Sequence, residues 1–177
     1  MLIEIRPLDR ETLLAHLDDA LAIERAARAE LGDAYSHEEW DANAFLAERP
    51  GKWRLSAGAF ADGRLVGFLV GSAAHGELHL HRVAVTPPAR RLSVARPLML
   101  RAEAAARAAS LPSISLSVAE ENAHALAFYR RLGYRPLERD ALRAYAAARG
   151  IPAHDEHVSP GGRTYLILRK SIDGGRA

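Results

Sequence analysis

Residue types that do chemistry gather at two loop-to-helix junctions and on one short strand. The first junction runs Arg90-Arg91-Leu92-Ser93-Val94-Ala95-Arg96 after the apolar strand of Val83, Ala84 and Val85 and a Pro87-Pro88 break. Free backbone N–H groups and three arginines at a helix N-terminus suit an anion, because the unpaired donors and the positive end of the helix dipole point the same way. Pro97 is tolerated only in a first helical turn, so the helix is expected to start near Val94 to Arg96. At the second junction Asn122 is a favoured N-cap and Gly133 a favoured stop. Between them Asn122, Ala125 and Tyr129 share one side of a helix, with the small Ala125 leaving room for a ligand between two polar groups. On the strand, Glu77, His79 and His81 share a face. His79 and His81 are the candidate bases, since a free imidazole titrates near neutrality.

Arg90-x-x-Ser93-x-Ala95 resembles the (Gln/Arg)-x-x-Gly-x-(Gly/Ala) loop of the GNAT superfamily of acyl-CoA-dependent N-acetyltransferases. Asn122-x-x-Ala125-x-x-Phe128-Tyr129-x-x-x-Gly133-Tyr134 resembles that family's second motif, at the expected distance downstream. The resemblance implies acetyl-CoA as acyl donor; no metal is expected, because the histidines lack a third ligand at settled spacing. It places the donor's pyrophosphate on backbone amides of the Arg90 to Arg96 loop, including Arg91, Val94 and Ala95, and its pantetheine arm beside Val83, Ala84, Val85 and Asn122. It makes Tyr129 the acid that protonates the departing thiolate. It also implies an α/β fold of α+β type, a mixed, mostly antiparallel sheet of about seven strands with about four helices, split by a β-bulge at the cofactor site. Ser93 stands where the family has a glycine. A positive φ there would cost of order 1 to 3 kcal/mol, which a serine offsets by donating its hydroxyl to phosphate or by capping the helix.

The elements that must position these groups are readable in outline. Leu2 to Arg6 alternates as a strand, a helix is expected over residues 11–30, and a second from Ser36, whose Glu39 completes a capping box. Residues 53–60 and 65–71 read as strands joined by Asp62-Gly63. In the next strand Leu78 and Leu80 are apolar on one parity and Val83 and Val85 on the other, so a bulge is expected around His81-Arg82, freeing backbone donors for an acyl carbonyl. Residues 134–137 resume a strand, 140–149 form a helix ended by Gly150, 151–160 are loop and a candidate substrate lid, and 164–170 are the last strand.

The 177 residues suit one domain over 1–172 with a disordered tail from 173, and 49% hydrophobic content suits a globular core. A net charge of +2 does not argue for nucleic acid, and no apolar run approaches the ~18 residues of a membrane span. With no cysteine, acyl transfer is direct or uses another nucleophile, and the cytoplasm is the expected compartment. His75, His79 and His81, or His154 with His157, lack a third ligand at settled spacing. Trp40, Glu39, His154 and Asp155 are the expected acceptor-site residues, and these walls are acidic, which favours a cationic acceptor: a small amine, a protein N-terminus or a lysine. A homodimer is left open. The alternative to an enzyme is an acyl-CoA-binding sensor on the same fold, motivated by Ser93 and by the absence of a carboxylate base on the strand before Asn122.

Overall fold

The computed structural model describes residues 2–36, 38–154, 156–159 and 162–172. The chain runs β1 (Ile3–Pro7), α1 (Arg10–Ala15), α2 (Leu17–Leu31), α3 (Ala42–Leu46), α4 (Lys52–Leu55), β2 (Ala57–Ala61), β3 (Arg64–Ala74) and β4 (Glu77–Val85). It continues with α5 (Pro87–Arg90), α6 (Ala95–Ala108), β5 (Ser113–Ala119), α7 (Ala123–Arg131), β6 (Arg135–Pro136), α8 (Arg139–Arg149) and β7 (Tyr165–Ser171). The strands make one seven-stranded mixed sheet in the order β1-β2-β3-β4-β5-β7-β6. Every neighbouring pair is antiparallel except β4 with β5. The expected tail from 173 and Asp155 lie outside the described residues. No described helix is long and apolar enough to cross a membrane.

Alternation along the strands divides the core. Leu69, Leu78, Leu80, Val85, Ile114 and Leu116 face α6 and α7 and meet Leu98, Met99 and Leu126. Phe60, Phe68, Val70 and Ala84 face the other way, onto Leu13, Ala20, Ile23 and Ala27 of α1 and α2. Tyr165 and Ile167 carry a smaller cluster with Leu142, Tyr145 and Ala146 of α8.

The β2–β3 turn is made by Asp62 and Gly63 at φ 49° and 78°, the backbone a two-residue hairpin loop needs. The expected bulge is present: Val70 pairs with Arg82 but Gly71 with Leu80, which leaves His81 as the extra residue. This is how Leu78, Leu80, Val83 and Val85 all reach one core despite their change of parity. Gly71 makes the room, since a Cβ there would sit 2.7 Å from Leu78 Cδ1.

Three local expectations are corrected. The first helix is two, broken at His16, where the backbone leaves the helical region at φ −120° and ψ 22°. No helix starts at Ser36: its hydroxyl closes a turn on the Glu38 N–H, and Asp41 instead caps α3 by accepting from Ala44 N–H at 2.8 Å. Residues 52–55 are a helical turn rather than strand, because the buried Lys52 folds back to donate to the Phe45 and Ala47 carbonyls at the end of α3.

Candidate active site

β4 and β5 pair only over Leu78–Leu80 with Ile114–Leu116, and beyond the bulge they part. A cavity of about 710 Å³ opens between them, walled by Val83 to Val85 on one side and Ser117 to Ala119 on the other. α2 closes it on one face and α7 on the other, with the α5–α6 turn at its end. The loop, the second motif and the bulge therefore open onto one space.

At the α5–α6 turn, Ser93 has φ 56°, the conformation that favours glycine, and its side chain caps nothing: α6 starts without a side-chain cap. No described group takes the N–H of Val94 or Ala95, nor bonds the Ser93 hydroxyl. Arg96 lines the cavity, as does Arg131 from α7, and neither makes an ion pair with a described residue. Arg90 lines it too, but its guanidinium is tied to the Val85 carbonyl at 3.0 Å and to Glu30 at 2.7 Å, so it braces β4 against α2. Arg91 is exposed and outside the lining, and Val94 is buried in the core beneath the turn.

Asn122 lines the cavity with its side chain engaged: Oδ1 accepts from Ala125 N–H at 3.1 Å as the α7 cap, and Nδ2 donates to the Ala34 carbonyl at 3.4 Å. Tyr129 lies two turns on, 8% exposed and facing the same space. Burial pushes its pKa well up, so the hydroxyl stays protonated at any physiological pH.

The two histidines do not behave as free imidazoles. His81, the bulge residue, lines the cavity, and its Nε2 shares a 2.7 Å hydrogen bond with Ser72 Oγ. His79 lies behind it, ring centroids 4.8 Å apart, bonded through Nδ1 to Ser115 and outside the lining. Burial, with Arg149 nearby, lowers His79 to about 4; burial, with His79 beside it, lowers His81 to about 3. Both are neutral at pH 7 and weakly basic, so the near-neutral titration expected of them is absent. Glu77 is no base either: burial pushes its pKa up, but bonds from Arg169 and the neighbouring serines outweigh this and hold it below the usual carboxylate range. With Arg149 as a further partner it ties β4 to α8, β5 and β7.

Of the expected acceptor-site residues, Trp40 is 4% exposed and packed against Phe45 in the α2-side core, outside the cavity lining. Glu39 is exposed away from the cavity. His154 stacks on His157 at 4.6 Å in the exposed loop after α8, held by a bridge between Ala153 and Val158. The residues that do reach the cavity were not foreseen. Arg82 follows the bulge and covers Trp40, donating to the carbonyls of His81 and Glu38 and, from Nε, to Glu24 Oε1 at 3.3 Å. Tyr35 lines the cavity beside it and donates its hydroxyl to Glu24 Oε2 at 2.6 Å. A signal was present for Glu24: it sits in the buried phase of α2 with Ala20, Ile23 and Ala27, where a carboxylate must have partners.

Residues 17–134 match the model of the acetyltransferase (GNAT) family. No curated protein matches significantly. Among solved structures, the ribosomal-protein-S18-alanine N-acetyltransferase of Escherichia coli superposes with a TM-score of 0.67 at 20% identity, over 99% of this chain and 97% of that one. The PaiA N-acetyltransferase of Thermoplasma acidophilum, solved in complex with coenzyme A, gives 0.66 at 19% over 97% and 99%. A GNAT-family acetyltransferase of Staphylococcus aureus gives 0.70 at 14% over 97% and 100%.

Proposed function

The chain belongs to the GNAT acetyltransferase family, and we propose that it moves an acetyl group from acetyl-CoA to a primary amine by direct attack. The observation that carries this is one cavity holding both halves of the chemistry: unpaired donors at the α6 N-terminus and a buried, protonated Tyr129. The residues fit the donor. The N–H groups of Val94 and Ala95, the Ser93 hydroxyl and the guanidiniums of Arg96 and Arg131 suit a pyrophosphate, and the parted strands offer ladder groups of Val83 to Val85 to an amide-bearing arm. Acetyl-CoA, when bound, supplies an activated acetyl carbon and a thiolate leaving group.

The remaining chemistry belongs to the chain. Tyr129, protonated and shielded from water, gives its proton to the departing sulfur. The bulge turns backbone donors of β4 out of the ladder, towards the space where an acyl oxygen gains charge. Arg90 and Asn122 hold the walls, one bracing β4 on α2 and the other α7 on the segment after α2. His81 is a wall residue whose low basicity leaves it little part in taking the amine proton.

The test is thermal unfolding with acetyl-CoA, CoA and ADP, followed by an amine panel scored by thiol release. At a hundred times its dissociation constant a ligand adds about 2.7 kcal/mol, which is roughly 5 to 10 °C in a domain of this size. A shift with acetyl-CoA and amine-dependent thiol release are expected. A shift without release from any amine would favour the acyl-CoA-binding sensor.

A further inference from the structure

We propose that Tyr35 and Glu24 form the route by which the attacking amine loses its proton, Tyr35 touching the nitrogen and Glu24 receiving the proton behind it. The inference rests on the acetyl-transfer reading and supplies the base which that reading lacks.

Glu24 is 1% exposed, and its two oxygens have separate partners: Oε1 faces Arg82 Nε at 3.3 Å and Oε2 accepts the Tyr35 hydroxyl at 2.6 Å. Tyr35 and Arg82 line the cavity, whereas Glu24 stands behind them. Because the Tyr35 O–H is committed to Glu24, the lone pairs of its oxygen are left for a donor from elsewhere, and the cavity is where such a donor arrives. Tyr129 lines the same cavity as Tyr35, so the two side chains border one chamber. Arg82, held on the carbonyls of His81 and Glu38, keeps the carboxylate in place and leaves its second oxygen to Tyr35.

The timing follows from ordinary basicities. A free alkyl ammonium and a carboxylate differ by about six pKa units, so the pair does not deprotonate a resting ammonium. It acts once the neutral amine has attacked. The forming C–N bond puts positive charge on nitrogen and makes its N–H strongly acidic. That proton passes to the Tyr35 oxygen as the Tyr35 proton passes to Glu24. The C–S bond breaks and Tyr129 protonates the sulfur, giving the acetamide and free thiol. Tyr129 then regains a proton and Glu24 loses one, restoring both groups through solvent.

The test compares Tyr35→Phe and Glu24→Gln with the unmodified protein, using a primary alkylamine and hydroxylamine as nucleophiles. Tyr35→Phe is expected to lower kcat for the alkylamine about a hundredfold with acetyl-CoA affinity unchanged, and to lower the melting temperature by a few degrees because Glu24 Oε2 loses its donor. The loss should be much smaller for hydroxylamine, whose attacking nitrogen gives up its proton more readily. Glu24→Gln should follow the same pattern. Because that change leaves Arg82 without its buried carboxylate and endangers the fold, Tyr35→Phe is the deciding variant. Unchanged turnover in Tyr35→Phe, or an equal loss for both nucleophiles, overturns the relay while leaving acetyl transfer intact. An unmodified protein that binds acetyl-CoA but releases no thiol with any amine overturns both.

Discussion

Ser93 offers a test in which stability and affinity move in opposite directions. Its φ of 56° is set in the free protein, where an L residue pays about 1 to 2 kcal/mol for the left-handed backbone. Glycine relieves this but gives back about 0.5 to 1 kcal/mol in unfolded-chain entropy, for a net gain of about 0.5 to 1 kcal/mol. In a domain of 177 residues that gain raises Tm by about 1 to 4 °C. The strain is present in free and bound protein alike, so its relief cancels from the dissociation constant. What does not cancel is the hydroxyl, which caps nothing in α6 and bonds no described group. If its partner is a phosphate, Ser93→Gly loses a charge-assisted hydrogen bond of about 1.5 to 3 kcal/mol, towards the lower end because Ser93 is exposed. The expected result is a protein that melts higher and binds CoA roughly tenfold more weakly. Thermal unfolding and calorimetric titration of the same two samples read both quantities. A lowered Tm would refute the strain argument. Unchanged or tighter CoA binding would show that the hydroxyl meets no phosphate.

Tyr129→Phe keeps the buried ring and removes the proton, so kcat should fall about a hundredfold or more with acetyl-CoA affinity unchanged; undiminished turnover would remove Tyr129 as the acid. Glu77→Gln breaks the tie of β4 to Arg149 and Arg169 and should cost about 3 to 5 kcal/mol in urea unfolding, while turnover per folded molecule stays normal; a loss of activity without loss of stability would return Glu77 to the chemistry. Stability should decline in acid. The folded pKa values of His79 and His81, about 4 and 3, lie below the unfolded 6.5, so each neutral imidazole favours the fold above pH 6.5 and this is lost as pH falls towards 4 and then 3. One unit below 6.5 the loss is about 1 kcal/mol for each, and His81→Gln should flatten its share of the slope in unfolding curves between pH 4 and 7.

What could be read from the sequence was what short-range order decides. The bulge was legible because Leu78, Leu80, Val83 and Val85 must all reach one core, and only an extra residue reconciles their parities. The start of α6 was legible because Pro97 admits few alternatives. The segment from Ser36 to Leu55 was misread because long-range contacts decide it. A buried Trp40 and an Arg82 guanidinium reaching the Glu38 carbonyl hold residues 38–40 against the sheet, where a helix from Ser36 was expected. The Lys52 ammonium, seeking acceptors at the end of α3, imposes a helical turn on a sequence with strand character. The acid–base pair beside the cavity was out of reach for the same reason: Tyr35 lies 11 residues from Glu24, and Arg82 lies 58.

Arg90 and Asn122 show where motif reading stops. Both stand at the motif positions and both reach the cavity, yet each has polar atoms committed to the protein: Arg90 Nε to Val85 and Nη1 to Glu30, Asn122 Oδ1 to Ala125 and Nδ2 to Ala34. At 14 to 20% identity those solved structures share a backbone path with this chain. A loop that offers N–H groups needs its flanking strand and helix held apart at a set width. Side chains that hold that width are as necessary to the site as those that touch a ligand. In this chain the bracing falls to Arg90 and Asn122, and the available donors are left on Ser93, Val94, Ala95, Arg96 and Arg131. On the proposed reading, the charge offered to a phosphate comes from the start of α6 and from α7, while the arginine that opens the motif braces β4 against α2.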